Sequence, residues 1–193
     1  MANTSTTADE IIRCARSLIV AGGYNAFSYA DISEVVGIRK ASIHHHFPSK
    51  IALVRTLVAW YREEAVEGLA ALERHHPEPV DQLRTYVGFW AACFHDASST
   101  FCVCALLAGE IPVLPEEIVL EVRAHFRALS AWLTSVLERG VEEGTMVLSG
   151  AAQSEAEAFM ATVHGAMLSA RAYGDASIFD VITQPLVERL IRH

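Results

Sequence analysis

Apolar residues recur at spacings of three and four along almost the whole chain, and no run alternates apolar and polar residues long enough to make a strand. That periodicity restricts the chain to an all-α fold. The first stripe is Ile11, Ile12, Ala15, Leu18 and Ile19, one face of a helix expected over Ala8–Ala21 and stopped by Gly22-Gly23. A short helix is expected over Ser28–Gly37, opened by the capping pattern Ser28-Tyr-Ala-Asp31 and closed by a glycine suited to a tight turn. A second short helix follows at once, Arg39–His45. A long one comes next, Ser49–Arg74, with a stripe at Val54, Leu57, Val58, Tyr61, Ala65, Leu69 and Leu72. The remaining candidates are Pro79–Asp96, Ser99–Glu110, Pro115–Arg139 with Gly140 after its end, Gln153–Tyr173 and Asp175–Ile191, about nine helices in total.

Hydrophobic residues make up 52 % of the 193 residues, enough for a sizeable core, and charged residues only 20 %, which excludes a disordered chain. The start lacks the basic and apolar regions of a secretory signal, and no apolar run approaches the ~20 residues of a membrane span, so a cytoplasmic protein without membrane contact is expected. In that compartment Cys14, Cys93, Cys102 and Cys104 read as thiols rather than a disulfide framework.

The net charge of −8 is unevenly spread. Residues 1–60 hold six Lys and Arg against four acids, and the remainder nine Arg against 19 acids. An acidic body repels DNA and leaves contact with it to a weakly basic head.

Ser28–Phe47 reads as helix, glycine-centred turn, helix. Ala30, Ile32, Val35 and Val36 are expected to form the inner face of its first helix, and Ile43 and Phe47 that of the second. Outward lie Arg39, Lys40, Ser42, His44 and His45, with His46 at the end. Cations, a small hydroxyl and imidazoles on a slim helix suit the major groove of DNA. Three consecutive histidines point about 100° apart on a helix and cannot converge on one ion, so no metal or cofactor is expected. No Gly-rich phosphate loop, His-Glu-x-x-His or Gly-x-Ser-x-Gly is present, and catalysis is not expected.

Over residues 8–60 the sequence resembles the tetracycline-repressor family. The likeness rests on Gly23-Tyr-Asn-Ala-Phe27, Ile32, Val36-Gly37 and above all Lys40-Ala-Ser-Ile-His-His-His-Phe-Pro-Ser-Lys50. Beyond residue 60 it is a likeness of helix number, length and order. It implies a DNA-binding head (1–48), a connecting helix (49–74) and a ligand-binding and dimerisation body (75–193). Carried over, it puts Ser28, Tyr29, His44, His45, His46 and Lys50 near the DNA backbone and groove edge, and Arg39, Lys40 and Ser42 in the groove. Where the family usually has Tyr, this chain has His44 and His45. The implied function is repression of near-palindromic operator DNA, relieved by a small-molecule effector.

The body is rich in aromatic and sulfur side chains. Tyr86, Phe89, Trp90, Cys93, Phe101, Cys104, Phe126, Trp132, His164 and Met167 are the pocket candidates, with an aromatic core lacking any cavity as the plainer reading. The last two helices carry small residues (Ala152, Ala156, Ala158, Ala161, Gly165, Ala166 and Ala170) and an apolar stripe (Ile178, Val181, Ile182, Leu186, Val187, Leu190 and Ile191), as expected of a homodimer face. Two alternatives stand beside the ligand-responsive repressor: a redox or electrophile sensor using Cys93, Cys102 or Cys104, and a helical ligand-binding protein without a DNA function.

Overall fold

The computed structural model describes residues 6–95 and 101–192. Among the described residues there are nine α-helices and no strand: α1 (Thr7–Gly22), α2 (Tyr29–Val36), α3 (Lys40–His46), α4 (Lys50–His75), α5 (Pro79–His95), α6 (Val103–Gly109), α7 (Glu116–Glu142), α8 (Ala152–Tyr173) and α9 (Ser177–Glu188). Short 3₁₀ turns occupy Tyr24–Ala26 and Ile111–Val113. The expected end of α5 at Asp96 and start of α6 at Ser99 lie outside the described residues.

Capping chemistry sets the boundaries of the head. Thr6 and Asp9 form a reciprocal cap on α1, and Ser28 and Asp31 form another on α2. In the second, the Ser28 hydroxyl and backbone N–H hold the Asp31 carboxyl below the usual carboxylate range. Gly37 ends α2 in the left-handed region, φ 74°, and its N–H donates to the Ser33 carbonyl at 3.0 Å.

One boundary differs from expectation. Gly140 does not end α7. The helix continues to Glu142, and the chain turns at Gly144, φ 72°. Gly140 is buried, and a Cβ on it would lie 2.5 Å from the Met146 sulfur. The glycine is there so that the chain leaving α7 can fold back over it.

The chain forms two compact units. The first comprises residues 1–63 and 102–125, so α6 and the start of α7 pack with the head. Its core is Ile11, Ile19, Ile32, Ile43, Leu53 and Leu57, each almost fully removed from solvent, a burial worth about 1.5–3 kcal/mol per side chain. The second comprises residues 64–101 and 126–193. There α8 packs along α9, and Phe159, Val163, Met167, Phe179 and Leu186 of these helices are buried. A single bridge pairs Met146 with Ile191, supported by Val147 N–H to Leu190 O and Arg192 N–H to Thr145 O. Arg139 ties three helices of this unit, reaching Glu73 on α4, Gln82 on α5 and Ser135 on its own helix, while Trp132 Nε1 donates to the same Glu73 carboxylate.

Candidate nucleic-acid interface and effector site

In the head, α3 rests on Ile43 and Phe47, both buried. Arg39, Lys40, His44, His45 and His46 are exposed, and Ser42 is half-buried. The His44 ring stands edge-on to Tyr29, 4.8 Å between centroids, with its Nδ1 3.4 Å from the Pro48 carbonyl. The His45 and His46 rings form a T-shaped pair, 5.6 Å between centroids.

Three of the expected DNA contacts have partners within the head. Tyr29 is buried, and its hydroxyl donates to the Phe47 carbonyl at 2.9 Å, locking the start of α2 to the end of α3. Burial pushes its phenol up to about 12. Ser28 spends its hydroxyl on the cap of α2. Lys50 points inward: its ammonium donates to the Phe27 carbonyl and sits 4.1 Å from the Phe27 ring centre and 4.6 Å from that of Tyr24. Desolvation lowers its pKa, against the raising effect of Asp31 and Glu110. The Lys50 ammonium thus has a carbonyl acceptor and two aromatic rings as partners within the head. The inner face of α2 also differs from expectation. Ile32 is buried, whereas Ala30 and Val35 are exposed, Val35 by 68 %, because Tyr29 takes the inward position.

The ten expected pocket residues are divided between the two units. Cys104 packs in the first unit and the other nine belong to the second. Phe89 is 57 % exposed and lines no interior. Tyr86 is buried against Trp132 and Phe159, and Phe101 against Phe94 with the Arg171 guanidinium over its ring. Trp90, His164 and Met167 are buried, Cys93 half-buried. Phe126 stands edge-on to His164 at 5.2 Å and also lines a groove of about 520 Å³ between α7 and α8, with Ser130, Thr134, Glu157 and Met160. Of the ten candidates, Phe126 is the one that lines this groove.

Two buried polar atoms in the second unit, His164 Nε2 and Trp90 Nε1, lack a hydrogen-bond partner among the described residues. Desolvation lowers the His164 pKa to about 4, so the ring is neutral at physiological pH. Such orphaned atoms inside an aromatic core are costly unless something meets them. The thiols are less suggestive. Cys102 and Cys104 are buried, and burial pushes both thiols up, away from the thiolate a sensor needs. Among the described residues no group of three His, Cys, Asp or Glu is placed to hold a metal, and no helix is long and apolar enough to cross a membrane.

A short exposed helix carrying cations and imidazoles, joined through a glycine turn to a supporting helix on an all-helical chain, defines a helix-turn-helix regulator of transcription. Residues 11–57 match the family of bacterial regulatory proteins named tetR, and residues 79–186 match the tetracyclin repressor-like C-terminal domain. The chain belongs to the tetR family. It is therefore a transcriptional regulator with an N-terminal DNA-binding helix-turn-helix and a C-terminal ligand-binding domain. A TetR-family regulator from Agrobacterium tumefaciens is 65 % identical, with 96 % of this chain and 97 % of that chain aligned at a TM-score of 0.94. A TetR regulator from Legionella pneumophila is 26 % identical, covering 97 % and 99 %, with a TM-score of 0.88. The HTH-type transcriptional regulator CymR of Pseudomonas putida is 28 % identical over 138 residues, 70 % of this chain and 68 % of its own.

Proposed function

We propose that the protein is a homodimeric repressor that holds near-palindromic operator DNA through α3 and is released by a small molecule bound in its second unit. The observation carrying the DNA half is the exposed row on α3: Arg39, Lys40, His44, His45 and His46 with half-buried Ser42, backed by Ile43 and Phe47. Two such heads fit successive major grooves about 34 Å apart on one side of a duplex. The work is done in the cytoplasm, where the DNA is.

The effector half is supported by the neutral His164 and by Trp90, whose buried nitrogens have no partner among the described residues. A ligand supplying a group to either, between apolar walls, satisfies an atom the protein leaves bare. To release operator it needs only unequal affinity for two states of the dimer. A hundredfold preference amounts to about 2.7 kcal/mol.

The dimer is proposed through α8 and α9. Ala158, Ala161, Leu168 and Val181 are exposed on these helices, while Ala156, Ala166, Leu186 and Val187 are consumed inside the protomer. The partner face is thus narrower than the sequence stripe, and its small residues permit close helix approach.

Fluorescence anisotropy with the DNA upstream of the coding region tests the reading. Nanomolar, salt-dependent binding that exceeds binding to scrambled duplex is the expected result, and Lys40→Ala lowers the salt slope by about 0.9 for each phosphate it no longer neutralises. Equal affinity for scrambled duplex refutes operator recognition. A monomer in light scattering at micromolar concentration refutes the dimer.

A further inference from the structure

The direction in which α3 faces is set by Ile43, which is fully buried under it. At 3.6 residues per turn, Ala41 and His45 lie about 160° round the helix from Ile43. Ser42 and His44 lie about 100° away, and Lys40 and His46 about 60°. On the far side Ala41 and His45 are exposed; nearer Ile43, Ser42 is half-buried, while the longer Lys40, His44 and His46 remain exposed, with His44 leaning on the Tyr29 ring. Ala41 and His45 therefore project along the axis by which α3 enters a groove. The other four side chains leave from its flanks.

Base edges form the floor of the major groove and phosphates its rims, so the residues on that axis meet bases and those on the flanks meet the backbone. Resting on the operator-binding reading above, we infer that Ala41 and His45 are the base-reading pair of α3, while Lys40, His44 and His46 serve as phosphate contacts. Ala41 carries only a methyl, whose partner on the groove floor is the C5-methyl of a thymine. His45 presents a ring N–H, and guanine offers two adjacent acceptors, N7 and O6, where adenine pairs its N7 with a repelling N6 donor. The small side chain at 41 also lets the helix sit close enough for His45 to reach a base.

The full-length protein is used to select duplexes from a randomised pool. The consensus is then remade with deoxyuridine for each thymine in turn, and with 7-deazaguanine for each guanine. Deoxyuridine at one symmetric position weakens the wild type roughly threefold and leaves Ala41→Gly unaffected. 7-Deazaguanine at another weakens it roughly tenfold and leaves His45→Ala unaffected. Lys40→Ala and His46→Ala bind every duplex more weakly by a common factor and select the same consensus. Ala41→Ser, which keeps the helix, is run beside Ala41→Gly, and circular dichroism confirms that each variant is folded. The inference is overturned if the Ala41 and His45 variants select the wild-type consensus, or if neither base analogue weakens binding. A wild type that selects no consensus overturns the operator-binding reading itself, and this inference with it.

Discussion

The Glu110 carboxylate accepts the backbone N–H of Tyr24, with oxygens at 2.9 and 3.3 Å across 86 residues of sequence. It fastens the end of α6 to the 3₁₀ turn that leads into α2. Gly23 makes the approach possible: its φ of 85° and ψ of −178° belong to glycine alone, and a Cβ there would lie 2.4 Å from the Glu110 oxygen. Gly23→Ala is expected to cost about 1–3 kcal/mol in backbone strain. Glu110→Ala is expected to cost about 1–2 kcal/mol by leaving a half-buried N–H unmet. The Glu110 oxygen ends a flexible chain, so the steric part of the Gly23 cost is relieved once Glu110 is gone. The two losses should sum to more than the double variant shows in urea unfolding. Strict additivity would mean that the pair is not coupled.

Lys50 distinguishes a strut from a phosphate contact. Lys50→Met keeps the stem and removes the ammonium that faces the Phe27 carbonyl and the Tyr24 and Phe27 rings. The expected outcome is a lower Tm and an unchanged salt slope of DNA binding. A slope reduced by about 0.9 per protomer with Tm preserved would put Lys50 on the DNA.

His164 makes stability pH-dependent. Its imidazole titrates at about 4 in the folded protein, against an ordinary value of 6.5, because burial disfavours the charged ring. As pH falls the unfolded chain takes up this proton first. The contribution is therefore fully present above about pH 6.5 and is lost between there and about pH 4, by at most about 3 kcal/mol. Urea unfolding across that range should show a shallower acid loss for His164→Leu than for the wild type. Parallel curves would show that His164 is not desolvated in solution.

The cysteines divide by burial. Cys14, Cys102 and Cys104 are buried with raised thiol pKa values, and Cys93 is half-buried. A disulfide reagent on the native protein should modify Cys93 first, and Cys93→Ser should remove the fast phase. Fast modification of Cys102 or Cys104 in the native state would show that these thiols are reached despite their burial.

Local chemistry was legible along the chain. The Ser28 cap, the turn at Gly37 and the apolar stripes of α1 and α4 depend on residues within a few positions of one another, so sequence order alone specified them. The exposed row on α3 followed for the same reason, once Ile43 was taken as its inward residue. What needed the tertiary structure was the use of each amphipathic group. Tyr29 and Lys50 each carry an apolar body and a polar tip, and their spacing is compatible with facing DNA or facing the core. The Phe47 and Phe27 carbonyls, 18 and 23 residues away, offer them acceptors inside the head. Gly140 stays helical because Met146 packs over it, and Phe89 is exposed although its neighbour Trp90 is buried. Periodicity states which residues share a face. Only packing between distant segments sets which face is covered and which polar groups are already partnered.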